Sequence, residues 1–103
     1  MLGPGKADLL EGIAATGSIA AAGRGMGMSY KRAWMLVEEM NNAFRLPLVT
    51  SSRGGTRGGG AQLTDTGREV LDTYRQLEEI MAEAGAARIA RIRALLRDRA
   101  DHR

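Results

Sequence analysis

From Ile19 to Met40 the chain reads Ile-Ala-Ala-Ala-Gly-Arg-Gly-Met-Gly-Met-Ser-Tyr-Lys-Arg-Ala-Trp-Met-Leu-Val-Glu-Glu-Met, and this stretch constrains the fold more than any other. A small-residue helix runs into Met26-Gly27-Met28, and a second helix starts at Ser29. That order predicts a helix-turn-helix, whose second helix can enter a DNA major groove. Ser18 is the expected N-cap of the first of these helices, about Ile19 to Gly25, and Ser29 that of the second, through about Phe44. Gly27 suits the positive φ of a helix-ending turn. Gly23 and Gly25 each cost a helix about 1 kcal/mol relative to Ala, so tertiary packing must override that cost or the helix is short and frayed.

At 100° per residue the second helix sorts its side chains by face. Ala33, Leu36, Val37, Met40 and Phe44 fall on one side, and Lys31, Met35, Glu38 and Asn42 on the other. Tyr30 and Trp34 lie on one flank, where packing is the expected role of Trp34. Pro47 forbids continuation.

Upstream, Lys6 to Ala15 reads as a helix with Leu9, Leu10, Ile13 and Ala14 on its apolar stripe, ended by Gly17. Downstream, Leu48 to Arg53 and Ala61 to Leu63 are strand candidates around a glycine-rich tip, Gly54 to Gly60, and so form a hairpin. After a helix-turn-helix, such a hairpin is a wing. Thr64 then caps a long helix from Asp65, expected to run to Asp98 and to span roughly 50 Å at 1.5 Å per residue. Val70, Tyr74, Leu77, Met81 and Ala84 recur at alternating steps of four and three, a coiled-coil spacing. The phase slips at Gly85, and Ile89, Ile92 and Leu96 resume one position later. A second copy of the chain is the simplest cover for that seam. The expected organisation is a winged helix-turn-helix over 1–64, a dimerisation helix of the same domain over 65–98, and a tail over 99–103. The fold class is mainly α with a small β-hairpin wing.

Composition narrows the function. A chain of 103 residues holds one domain and one modest core. It has no Cys, which removes disulfides, thiolate nucleophiles and Cys-ligated metals. The six Met residues mostly take core positions and read as packing, not as a metal box. The single His, His102, stands next to the C-terminus, without a catalytic constellation around it, so no enzyme, cofactor or metal is expected. Neither a signal peptide nor a spanning segment is visible, which predicts a cytoplasmic protein without membrane contact. The net charge of +3 is unevenly placed: six Arg after Gly85 against Asp98 and Asp101 give +4, leaving −1 for the rest. That basic tail is either a solvated helix face or a nonspecific phosphate or partner contact.

The run Gly27-Met-Ser-Tyr-Lys-Arg-Ala-Trp34, the wing Ser52-Arg-Gly-Gly-Thr-Arg-Gly-Gly-Gly-Ala-Gln-Leu-Thr64, and Gly67 beyond it resemble the N-terminal DNA-binding domain of the ModE family. These are molybdate-responsive bacterial transcription regulators with a winged helix-turn-helix related to the LysR type. The resemblance covers about Leu9 to Ala84. It implies DNA binding and does not carry over molybdate binding; together with the apolar seam, the expectation is sequence-specific binding of double-stranded DNA by a homodimer, in regulation of molybdenum transport or use. Family members with a sensor carry C-terminal oxyanion-binding repeats, which this chain is expected to lack, so it would act with a separate sensor protein or with none.

Ser18, Ser29, Tyr30, Lys31, Arg32 and Met35 are the expected DNA contacts at the helix-turn-helix. Lys31 or Arg32 can donate to a guanine edge and Tyr30 to a phosphate. Arg53 and Arg57 are the expected wing contacts with phosphates or the minor groove. Val70, Tyr74, Leu77, Met81 and Ala84 are the expected dimer seam, and Gly67 is expected to serve close helix packing. Two other readings compete: an interaction module that pairs through its long helix with another protein, and an oxyanion nest in the glycine tip.

Overall fold

The computed structural model describes residues 2–52 and 60–97. Helix α1 spans Pro4–Thr16, begun by a proline whose fixed φ suits a first helical turn and ended by Gly17 at φ 72°. The Gly17 N–H donates to the Ile13 carbonyl at 2.8 Å, so the left-handed residue closes the last turn. Ser18 then starts α2, Ile19–Gly25, its hydroxyl accepting the Ala21 N–H at 3.0 Å. Met26 to Met28 make the turn, with Gly27 at φ 73° and the Met28 N–H returned to the Gly23 carbonyl. Ser29 caps α3, Tyr30–Ala43, by accepting the Arg32 N–H at 3.1 Å. Helices α2 and α3 start at the expected serine caps, and α1 begins at Pro4, two residues before the expected Lys6.

Small residues set how closely these helices approach. A Cβ on Gly12 would lie 3.0 Å from the Ala22 Cβ, and one on Gly23 only 2.8 Å from the Ala33 Cβ. The helical cost of Gly23 is therefore offset by contact between α2 and α3; Gly25 has open space around it and no such contact. Ala7, Leu9, Leu10, Ile13, Ile19, Ala22, Ala33, Val37 and Met40 fill the core between the helices. Ala14, expected in the α1 stripe, is exposed, whereas Ala7 is buried. The two are seven apart and share a face, so the cover over α1 ends before its last turn.

Strands β1, Val49–Ser52, and β2, Gly60–Leu63, pair antiparallel, with Val49 opposite Leu63 and Ser52 opposite Gly60. The hairpin is tied to the body twice. The Ala61 N–H donates to the Gly17 carbonyl at 2.9 Å, which fixes β2 to the corner between α1 and α2. Leu48, Val49 and Ala61 bury their side chains in the helical core.

Helix α4, Asp65–Ala84, is capped by Thr64, which accepts the Gly67 N–H at 2.9 Å. Its Gly67 and Leu71 are buried, and Val70 and Tyr74 are half-buried against the same core. Arg75 joins α4 to α1. Its Nη2 lies 2.7 Å from Asp8 Oδ1 and 2.6 Å from Glu11 Oε1, and its Nη1 lies 2.9 Å from Glu78 Oε1. The Asp8 contact, then Glu78 and Glu11, hold the guanidinium pKa above its usual range. The acids remain largely solvated, so the network orients α4 more than it stabilises it.

A single helix over 65–98 is not what forms. Helix α4 stops at Ala84, Gly85 makes a turn at φ −95° and ψ 1°, and α5 runs Ala86–Leu95. Glycine weakens a helix interior by about 1 kcal/mol, and α5 buries no residue that would hold the junction straight. The break falls at the residue where the apolar phase slips; Asp98, the expected end, and the tail after it lie outside the described residues. The arm makes the molecule long: its radius of gyration is 17.7 Å, against about 13 Å for a compact domain near 100 residues.

Candidate nucleic-acid interface

The front of α3 is built by its cap. Ser29 takes the Arg32 N–H with its hydroxyl and the Ala33 N–H with its carbonyl. Helix geometry leaves the N–H groups of Tyr30 and Lys31 without an intrahelical partner at the positive end of the helix dipole. Such an end favours an anion such as a phosphate.

Burial of the opposite face orients the side chains. Ala33, Val37 and Met40 are buried, with Leu36 and Phe44 half-buried beside them, so the helix cannot roll. Ser29, Lys31, Arg32, Met35, Glu38 and Asn42 are consequently exposed, Met35 by 49%. Neither Lys31 nor Arg32 pairs with a carboxylate of the described residues, whereas Lys6 is 3.2 Å from Glu39 Oε1. Tyr30 is 58% exposed and stands edge-on to Trp34, ring centres 6.1 Å apart at 77°. Trp34 is itself half-buried against the core, so the pair fixes the Tyr30 ring at the rim of the surface.

Ser18 is placed differently from the rest. It is half-buried, and its hydroxyl is occupied in capping α2. Arg53 and Arg57, expected at the wing tip, lie outside the described residues. Of the expected seam, Val70 and Tyr74 are partly covered by their own domain, and Leu77, Met81 and Ala84 are exposed.

One residue that positions the wing escapes sequence reasoning. The Asn41 side chain accepts the Leu48 N–H at 2.8 Å and the Val49 N–H at 3.1 Å, and donates to the Val49 carbonyl at 3.0 Å. It satisfies backbone that β2 does not reach, and so sets the angle at which the hairpin leaves α3. An Asn in the last turn of a helix carries no periodic signal; only the nearby Pro47 hints that the backbone after it needs a side-chain partner. Asn41→Ala leaves buried donors unmet, at about 1–3 kcal/mol. Its urea midpoint is expected to fall accordingly. Asn41→Asp keeps the acceptor but sets an anion against the Val49 carbonyl, and is expected to be no more stable than Asn41→Ala.

Comparison with known proteins agrees with this geometry. The profile of the bacterial regulatory helix-turn-helix proteins of the LysR family matches residues 6–68. The molybdenum-pterin-binding protein MopB of Rhodobacter capsulatus is 44% identical over 82 residues, covering 80% of this chain and 30% of its own length. The molybdenum transport protein ModE of Azotobacter vinelandii is 49% identical over 70 residues, 68% of this chain and 26% of its own length. The DNA-binding transcriptional dual regulator ModE of Escherichia coli K12 is 40% identical over 81 residues, 79% of this chain and 31% of its own. The chain thus spans about 30% of the length of these relatives. Among solved structures, the CbnR DNA-binding domain in complex with DNA superposes with a TM-score of 0.67 at 19% identity, covering 88% of this chain and 99% of that one. Full-length LysG, a LysR-type regulator of Corynebacterium glutamicum, gives 0.64 at 22% identity, covering 89% of this chain and 30% of that one. At these identities the likeness is one of fold, a winged helix-turn-helix. Among the described residues no helix is long and apolar enough to cross a membrane.

Proposed function

The chain belongs to the LysR family of bacterial regulatory helix-turn-helix proteins, and from that premise we propose that it binds double-stranded DNA sequence-specifically as a homodimer and regulates genes of molybdenum transport or use. The observation that carries the DNA reading is the front of α3: a capped helix end with Tyr30, Lys31, Arg32 and Met35 held outward by a buried opposite face. Lys31 or Arg32 donates to a guanine edge, Tyr30 and the free N–H groups hold a phosphate, and Met35 meets a thymine methyl. Ser18 contributes by fixing α2 across the backbone. Arg53 and Arg57 extend the contact along the wing. The molybdenum assignment is supported by the relatives, a molybdenum transport protein and a molybdenum-pterin-binding protein among them. The exposed apolar residues of α4 and α5 support dimerisation. They also suit a second reading, a module that pairs through this arm with a separate sensor protein and for which DNA is secondary.

Fluorescence anisotropy with promoter fragments separates the two. Lys31→Ala or Arg32→Ala is expected to weaken specific binding by about 1–3 kcal/mol while leaving nonspecific binding nearly intact, apart from a salt slope reduced by about one where the lost contact is to a phosphate. Unchanged affinity in both variants removes α3 as the reading surface and favours the interaction module.

A further inference from the structure

Helix α3 carries two acids, Glu38 and Glu39, and the fold treats them differently. At 100° per residue Glu39 falls on the flank shared with Arg32. There Lys6 of α1 reaches its carboxylate at 3.2 Å. Glu38 falls on the outward face, in one row with Lys31, Met35 and Asn42, and all four are exposed. No cation of the described residues pairs with Glu38. An unpaired carboxylate on the surface that meets a polyanion repels it, unless a base edge supplies a donor.

We propose that Glu38 determines specificity by selecting a cytosine in the major groove. This rests on the DNA reading of α3 proposed above and assigns one base pair of it. In the major groove guanine offers acceptors, thymine an acceptor and a methyl group, and adenine a donor beside an acceptor. Cytosine alone offers a donor, its N4 amino group, with no acceptor of its own. An ionised carboxylate only accepts. Glu38 therefore takes a hydrogen bond from the cytosine amino group and is repelled by the acceptors of the other three bases, so exclusion adds to the selectivity of the bond. The helix also sets the position of that cytosine. Glu38 stands seven residues after Lys31, about 10 Å along the axis. For a helix lying along the groove, that is about three base pairs at 3.4 Å each from the pair that Lys31 meets. Glu39, on the flank, faces the strand that borders the groove, and Lys6 neutralises it there.

The test uses duplexes enriched from a randomised pool by the parent chain, then anisotropy on single-base-pair variants of the enriched sequence. The parent is expected to prefer cytosine at that position by about 5- to 150-fold. Glu38→Gln is expected to move the preference to adenine, whose amino group and N7 match a carboxamide, and to leave the other positions unchanged. Since Glu38 is exposed, the variant is expected to melt with the parent. Glu39→Gln is the control. It is expected to change affinity by about 5-fold at most, on every duplex alike, and to alter no base preference. A Glu38→Gln variant that tightens binding to every duplex alike, or changes nothing, overturns the assignment. So does a change of base preference produced by Glu39→Gln instead. If Lys31→Ala and Arg32→Ala also leave affinity unchanged, the reading surface itself falls; if they weaken it, only the Glu38 assignment does.

Discussion

Gly67→Ala is expected to be the most destabilising conservative change in this chain. A Cβ at Gly67 would lie 2.0 Å from the Leu48 carbonyl oxygen, 2.9 Å from its carbon and 3.2 Å from its Cα. The obstacle is backbone, and it is pinned. The Thr64 N–H donates to that carbonyl at 2.9 Å, and the Thr64 hydroxyl donates to the Pro47 carbonyl at 2.7 Å. Leu48 is fully buried and is gripped by Asn41 from the other side. Neither α4 nor the loop can move by the ångström or more required without breaking the cap, the start of the wing, or the Leu71 contact with the core. Overpacking against flexible side chains costs about 1–3 kcal/mol, and immovable backbone puts this site at or above the top of that range. At about 4–8 °C per kcal/mol for a domain of this size, the melting temperature is expected to fall by roughly 10–25 °C. Gly25→Ala is the control. Nothing lies within 4 Å of a Cβ there, and the residue is helical, so the change is expected to be neutral or to stabilise by up to about 1 kcal/mol. Thermal melts of the two variants that fall within about 1 kcal/mol of each other would refute this account of Gly67.

The same site shows how far the residues themselves reveal the structure. Ser18, Ser29 and Thr64 each announce a helix start, because a side-chain oxygen three residues before an orphan N–H is a local device that needs no knowledge of the fold. Gly17 and Gly27 are legible for a similar reason: only the backbone at that residue is involved. Gly67 is legible as a packing residue, but the atom it packs against, the Leu48 carbonyl, is nineteen positions away and invisible in any periodicity. Leu71 is hidden by its neighbours. The seam from Val70 to Ala84 offers five apolar positions in coiled-coil spacing, of which Val70 and Tyr74 also pack against the core, whereas the fully covered residues of α4 are Gly67 and Leu71. Counting apolar residues therefore passes over Leu71, the apolar position that α4 buries most deeply in its own domain. Asn41 is the opposite case, a polar residue whose three hydrogen bonds are all tertiary. The break at Gly85 was present as a slip of phase, but a slip does not say whether a helix bends, stops or stays straight. That depends on what packs against it, and none of the described residues covers α5.

Leu77→Glu is expected to split the homodimer and to lower DNA affinity with it, while the domain stays folded. Leu77 is 48% exposed and lies outside the buried core, so Glu there costs the isolated domain little. In the proposed dimer the same position would meet an apolar residue of the second copy. Each copy loses a buried leucine worth about 1.5–3 kcal/mol, and two carboxylates must be desolvated without partners. The dimer dissociation constant is therefore expected to rise by about two orders of magnitude or more. DNA affinity is expected to follow, because the proposed dimer would reach two half-sites at once. The second contact is intramolecular, and losing it forfeits an avidity factor of about 10²–10⁴. Lys31→Ala should act otherwise, weakening specific DNA binding in a protein that still sediments as a dimer. Sedimentation and anisotropy on the two variants thus separate the reading surface from the assembly that presents it twice. If Leu77→Glu still sediments as a folded dimer with parental DNA affinity, the α4 seam is not the interface, and pairing lies elsewhere, with the exposed Ile89–Leu96 stripe the next surface to test.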